Sequence, residues 1–209
     1  MLFVVAAMIA LNFYPITAIL ISLLALFNDL PIMTIAIDNT PLDPQPVRWD
    51  MRRVLTVSTV LGAVGVIETF GILALAKLWL HLPTPEIQTL IFLKLAVAGH
   101  LTLFVARARG PFWARPWPAR SMIWAAAGTK ALATLLVAFG IGLVTRISWT
   151  LIGLVWGYAI AWVFTEDWAK LAVYRHLGQT GRHHQRFLTR LQENVHPGSW
   201  PHAEIKESR

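Results

Sequence analysis

The sequence contains no cysteine, and only 14% of its 209 residues are charged. The missing thiols exclude a disulfide scaffold, a thiolate metal site and a cysteine nucleophile. The shortage of charge excludes an ordinary soluble domain, whose surface needs more polar side chains than this chain carries. No Gly-rich phosphate loop, Walker sequence or paired-histidine zinc motif occurs, and no repeat of about 20 to 50 residues is visible. Met1-Leu2-Phe3 begins apolar at once with no basic stretch ahead of it, so a cleavable signal is not expected.

What the sequence does have is grease. Hydrophobic residues make up 56% of the chain and mean hydropathy is +0.57, arranged as long apolar runs between short polar ones. That pattern predicts an all-α fold, a polytopic transmembrane helical bundle. "MLFVVAAMIAL" is too short to cross the ~20-residue hydrocarbon core and reads as the end of a truncated first helix. "NFYP" predicts a tight connection. Five full spans are expected over about 16–37, 54–79, 87–106, 122–144 and 149–166, the second helix of the chain being discontinuous. The domain division is 1–176, a transmembrane helical region, and 177–209, a basic tail.

Of ten tryptophans, several fall near span ends, as in interfacial aromatic belts. The net charge of +7 resides mostly in loops and tail, which argues against a nucleic-acid surface. Arg48, Arg52 and Arg53 occupy one loop, and Arg107, Arg109, Arg115 and Arg120 another. Lys170, Arg175, Arg182, Arg186, Arg190, Lys206 and Arg209 follow the last span. Alternating spans place all three groups on one side, with little beyond Lys77 and Arg146 opposite. The positive-inside rule therefore predicts cytoplasmic loops and a cytoplasmic tail.

One span carries an anomaly. "SLLALFNDLPIMTIAIDNT" puts Asn28, Asp29 and Pro31 in the middle of an apolar helix. Pro31 supplies no N–H to the carbonyl of Phe27, so the ladder is expected to break there. Interrupted membrane helices commonly build ion sites near the midplane. Asp29 lies about 13 residues, or ~20 Å, from the outer end. A permanent charge at that depth is costly, so the group is expected to bind and release a proton. Calcium wants six to eight oxygen ligands; a single dominant carboxylate suits a proton better.

Other buried polar residues are candidates too. Glu68 and Lys94 fall at matching depth on consecutive antiparallel spans, ~20 Å above the cytoplasmic face. They form an intramembrane ion pair, or else Lys94 reaches outward while Glu68 stays protonated. His100 could relay a proton or sit packed in the core. Lys130 is expected to snorkel. Gly153 and Gly157 have small-residue spacing for close helix contact. Trp113, Trp117 and Arg115 read as an interfacial loop. His183, His184, His196 and His202 lack metal-site spacing, and the start of the tail suits a short basic amphipathic helix at the membrane surface.

At this point a resemblance enters. "LNFYPITAILISLLALFNDLPIMTIAIDNTPLDPQPVRW" resembles the fifth-to-sixth membrane-helix region of plasma-membrane proton-pumping P-type ATPases. "QTLIFLKLAVAGHLTLFVARARGPFWARPWP" is similar to the eighth helix and following loop of prokaryotic members, and "WTLIGLVWGYAIAWVFTEDWAKLAVYR" to the last helix. The likeness covers roughly residues 5–176.

It implies the end of the fifth through the tenth helix of a ten-helix membrane domain in the plasma membrane. It also implies that Asp29, beside Asn28, matches the family's proton-carrying carboxylate. The family's phosphorylated Asp-Lys-Thr-Gly-Thr motif does not occur in this sequence. ATP and magnesium would bind domains this sequence does not contain, so it is not expected to hydrolyse ATP alone. The partner side chains of the proton site, a fifth-helix arginine and a second-helix asparagine, also fall outside it. Pumps using a Cys-Pro site are excluded by the lack of cysteine. Expected partners are the lipid bilayer, a proton and the N-terminal pump portion. The alternative is an orphan fragment that packs against another membrane protein without transporting anything.

Overall fold

The computed structural model describes residues 2–39, 51–107, 110–141 and 144–195, with side chains described as far as residue 176. Arg48, Arg109, His196, His202, Lys206 and Arg209 lie outside these residues, as do the side chains of Arg182, His183, His184, Arg186 and Arg190.

Six helices follow one another and no strand occurs among the described residues. They are α1 (Leu2–Leu11), α2 (Ala18–Met33), α3 (Met51–Ala74), α4 (Thr84–Arg107), α5 (Arg120–Phe139) and α6 (Trp149–Val195). Five of them are long and apolar enough to cross a membrane: Ala18–Ile37, Met51–Trp79, Thr84–Arg107, Arg120–Phe139 and Trp149–His176. α1 is the short sixth, packed on α3 through the Phe3 and Phe70 rings, 5.0 Å apart.

The turn after α1 is as tight as its sequence suggests. Asn12 takes a left-handed φ of 46°, which asparagine tolerates better than most residues. Thr17 then caps α2, its hydroxyl oxygen accepting from the Leu20 N–H at 3.3 Å.

α4 is the central helix. It packs against α2, α3, α5 and α6, and most of its length is buried, from Ile87 through Val105. The other helices each bury one stripe and leave leucines, isoleucines and tryptophans outward, the arrangement expected where lipid is the solvent.

Three expectations about elements need correction. The helix is not interrupted at Asn28–Pro31: α2 remains α-helical through Pro31 to Met33. The change comes after the proline, where Thr34–Ile37 winds as a 3-10 turn and the Thr34 N–H bonds to Pro31 O. Proline deletes only its own N–H, so one carbonyl loses its donor while the rest of the ladder holds. Thr34 reinforces the tighter turn, its hydroxyl donating to Pro31 O at 2.7 Å.

The last span was expected to stop at residue 166. Instead α6 runs through Glu166, Asp167 and Lys170, all buried, and the backbone stays helical past residue 176 to Val195. Charged residues that find partners inside a bundle do not end a helix.

α5 ends at Phe139 rather than at residue 144, because Gly140 adopts the left-handed conformation (φ 64°) and its N–H closes on Leu136 O at 3.0 Å. A Cβ at Gly140 would also come within 2.9 Å of Arg146 Cβ. Gly140→Ala is therefore expected to destabilise the bundle by about 1–2 kcal/mol. Thermal melts of the two proteins by circular dichroism in lipid nanodiscs check this, and an unchanged midpoint contradicts it.

Candidate functional site

The start of α2, the end of the α3 span and the start of α4 are tied together on one side. Gln88 Nε2 donates to Tyr14 O at 2.9 Å, and Lys77 Nζ lies 5.1 Å from the centroid of the Phe13 ring. Measured from that end at 1.5 Å per residue, Asn28, Asp29, Glu68 and Lys94 all stand at roughly 15–17 Å. Thr102 and Glu166 stand about 10 Å deeper. A cavity of about 780 Å³ joins the two levels, lined among others by Asn28, Asp29, Glu68, Thr69, Lys94, Thr102 and Glu166.

At the first level Lys94 Nζ lies 3.1 Å from Glu68 Oε2 and donates to Thr69 Oγ1 at 2.6 Å. Both ionic side chains are almost wholly enclosed, at 2% exposure each. Lys94 does not reach outward. Glu68 Oε1 is buried and accepts no hydrogen bond among the described residues, which leaves one carboxylate oxygen free on the cavity side. Tyr158 of α6 donates to the Glu68 carbonyl at 2.7 Å, and it fits because Gly71 has no side chain; a Cβ there would stand 2.6 Å from the hydroxyl.

Across from this pair, Asn28 faces the surface of α4 at Gly99, and its Oδ1 is buried without a partner. Asp29 belongs to the cavity lining and is exposed. It makes no hydrogen bond or ion pair among the described residues. Pro31 is buried two residues further on. The carbonyl it leaves without a donor, that of Phe27, is faced by the imidazole of His100 from α4. His100 is buried and neither ring nitrogen reaches hydrogen-bond geometry.

The deeper level was not visible in the sequence as a site. Glu166 is 3% exposed, and its partner is a hydroxyl: Thr102 Oγ1 lies 2.8 and 3.1 Å from the two carboxylate oxygens. One turn along, Asp167 and Lys170 hold each other at 2.7 Å. Lys170 Nζ also donates to Val105 O (2.9 Å), an orphan carbonyl at the end of α4, and to Gly110 O (2.7 Å) in the chain after it, while Asp167 Oδ1 accepts the Phe112 N–H at 3.1 Å. The acid, base and hydroxyl spacing across α4 and α6 becomes legible only when the helices are set side by side.

The same end carries a second clamp. Arg107 Nε is bonded to Asp38 Oδ2, and the guanidinium also donates to Pro116 O at 2.7 Å and Asn39 O at 3.0 Å. Asp38 Oδ1 accepts the Ala119 N–H at 2.8 Å. Asp38 lies just beyond its span, and burial pushes its carboxyl up. The Ala119 N–H and the Arg107 guanidinium outweigh this and hold it below the ordinary carboxylate range.

Two smaller expectations, on Lys130 and on Gly153 with Gly157, are corrected. Lys130 does not snorkel: it is buried, with Nζ 5.7 Å from the centroid of Phe104. Gly153 and Gly157 bring nothing close, since a Cβ at either would meet no atom within 4 Å. The close contact falls at Gly71 instead. Trp113 and Trp117 are exposed in the loop with Arg115, as an interfacial loop requires.

Two outcomes follow from the buried charges. Lys94→Met strands the Glu68 carboxylate and is expected to cost about 3–5 kcal/mol, whereas Glu68→Gln with Lys94→Met should recover most of it. Denaturation of both variants in the same detergent decides, and a double variant no better than the single one counts against the pair. For Asp38, a lowered folded value means its contribution is present above the ordinary carboxylate range and lost as pH falls through the folded value. Asp38→Asn is expected to flatten that acid limb of the stability curve, and an unchanged limb removes Asp38 from it.

No family model matches the chain. Individual relatives do. A protein of Methanocaldococcus jannaschii named as a cation-transporting ATPase is 41% identical over 175 residues, covering 84% of this chain and 22% of that protein. A plasma membrane ATPase of Candida albicans is 36% identical over 97 residues, covering 45% of this chain and 11% of that protein. Plasma membrane ATPase 1 of Saccharomyces cerevisiae is 31% identical over 124 residues, 58% of this chain and 13% of its own length. The chain thus spans about a fifth or less of these curated relatives. Its homologues are P-type ATPases, and the part it shares with them is the transmembrane part of a cation pump.

Proposed function

We propose that this chain is the C-terminal membrane region of a proton-exporting P-type ATPase and that Asp29 carries the proton. The observation that supports this most directly is the placing of Asp29. It stands near mid-span on the rim of a cavity, at the same depth as a buried Glu68–Lys94 pair, and it alone of these carboxylates has no partner. A carboxylate locked to a cation stays ionised, whereas one without a partner can take up a proton at low cost in low-dielectric surroundings.

The supporting physics differs from that of a broken helix. Pro31 contributes a single orphan carbonyl, at Phe27, and the polar character of the site comes from side chains of α3, α4 and α6. Asn28, adjacent to Asp29, turns its unpaired Oδ1 inward and can accept a hydrogen bond from water in the cavity.

In this reading the Arg-bearing loops and α6's extension lie in the cytoplasm of a plasma-membrane protein, by the positive-inside rule. The N-terminal pump portion supplies the phosphorylated aspartate, and ATP and magnesium bind there. The present chain contributes the ion path and hydrolyses nothing by itself.

The test is transport. The chain is reconstituted into vesicles together with the N-terminal portion, and ATP-driven acidification is followed with a pH-sensitive dye. Acidification is expected with the natural chain and should fall to background with Asp29→Asn. Acidification that persists in Asp29→Asn overturns the carrier assignment. No ATP-driven acidification under any condition favours the packing-fragment reading.

A further inference from the structure

The carboxylates inside the bundle are not equivalent. Glu68 is neutralised by Lys94, and Asp167 by Lys170. Glu166 is as deeply buried as either, at 3%, yet its hydrogen-bonding partner is Thr102 rather than a cation. That hydroxyl has one proton to give, and it also lies 3.0 Å from Ala98 O. When Thr102 bonds to its own helix, Glu166 has no donor left, and the arrangement is satisfied only if Glu166 is itself protonated and donates to Thr102 Oγ1. A buried carboxyl with a hydroxyl that can serve as donor or acceptor is stable with the proton on or off.

We propose that Glu166 is a second proton-holding carboxylate of this cavity, placed between the Asp38–Arg107 end of the bundle and the level of Asp29. The cavity that reaches Glu166 also reaches Asp29, and between them it exposes the unpartnered Glu68 Oε1, which is buried and free to accept a hydrogen bond from water. The transfer balances simply. The O–H bond on Glu166 breaks, its proton passes through cavity water, and an O–H bond forms on the Asp29 carboxylate. One negative charge moves back to Glu166, so the net charge of the cavity is unchanged. That last step rests on Asp29 being the carrier; the holding of a proton at Glu166 does not.

The charged neighbours of Glu166 are few. Glu68 faces it from α3, and Lys94 and Thr102 from α4. Asp29 of α2 shares its cavity. On its own helix, Asp167 and Lys170 are turned to each other and to the chain after α4. Lys130 of α5 lies over Phe104 and is not part of the cavity lining. The Lys94 charge is already matched by Glu68, so ionised Glu166 adds a net negative charge that a proton removes.

Infrared difference spectroscopy of the chain in lipid nanodiscs, between acid and alkaline buffer, reads this without any transport assay. A protonated-carboxylic-acid band that titrates is expected in the natural chain and in Asp29→Asn, and it should be lost in Glu166→Gln. Thr102→Val, which keeps the acid, should shift the same band to higher frequency because the hydrogen bond is gone. A spectrum unaltered by Glu166→Gln overturns the proposal. Should Glu166→Gln not fold, a band unmoved by Thr102→Val overturns it equally. If the band responds to Glu166→Gln while Asp29→Asn changes nothing at all, Glu166 stands and the Asp29 assignment falls.

Discussion

The ion pair between Glu68 and Lys94 is the constraint around which the bundle is arranged. In hydrocarbon, a lone lysine on a central helix would cost several kcal/mol even after relaxation. Lys94 is nearly sealed from the outside, so the helix carrying it can take only those positions in which α3 brings Glu68 within reach. Thr69, the next residue along α3, takes a second proton of the ammonium, which fixes rotation as well as depth. With α3 and α4 registered, Tyr158 reaches the Glu68 carbonyl over Gly71 and sets α6. Gly99 of α4 then leaves room for Asn28.

Polar contacts at the opposite end do a different job. Arg107 and Asp38 join the end of α4 to the end of the α2 span and to the start of α5, and Lys170 with Asp167 joins α6 to the end of α4. Each cation also bonds to backbone carbonyls, Lys170 to those of Val105 and Gly110 and Arg107 to those of Asn39 and Pro116. These clamps are closed: each carboxylate faces a cation and also accepts a backbone N–H. The polar zone that is not closed takes in Glu166, deeper than the Glu68–Lys94 level, and the free Glu68 oxygen, the free Asn28 oxygen and Asp29 at that level. The bundle thus combines ion pairs held rigidly with a cavity whose acids and amide oxygen are not all matched.

Much of this was readable from the chain. The number of spans followed from apolar run lengths, because a helix must satisfy its own backbone in lipid and little else can cross. Glu68 and Lys94 were locatable because antiparallel geometry converts residue counts into depth. Glu166 was not, because a charged triplet within "FTEDWAK" looks like the polar flank that ends a span. Its partner Thr102, like the Val105 and Gly110 carbonyls that Lys170 bonds, is some 60 residues distant in sequence. Gly153 and Gly157 show the converse: correct spacing, but on a face with no helix opposite. The proline at position 31 was over-read, since a missing N–H frees one carbonyl without unwinding the turns on either side.

That over-reading bears on how a carrier can work in such a frame. If α2 is continuous, Asp29 cannot draw its ligands from unwound backbone, and its environment must change by motion of whole helices rather than by local rewinding. The tight 3-10 turn at Thr34–Ile37 lies between Asp29 and the Arg107 clamp on Asp38, so a displacement of that clamped end would be passed to α2 through a stretch already wound differently from the rest. Rotation of α2 by a fraction of a turn would carry Asp29 from the exposed rim of the cavity toward the more buried position now held by Asn28. The two adjacent residues, about 100° apart on a helix of 3.6 residues per turn, would then trade places before the same polar cavity. A small rotation suffices because the acceptor side is already polar and already fixed.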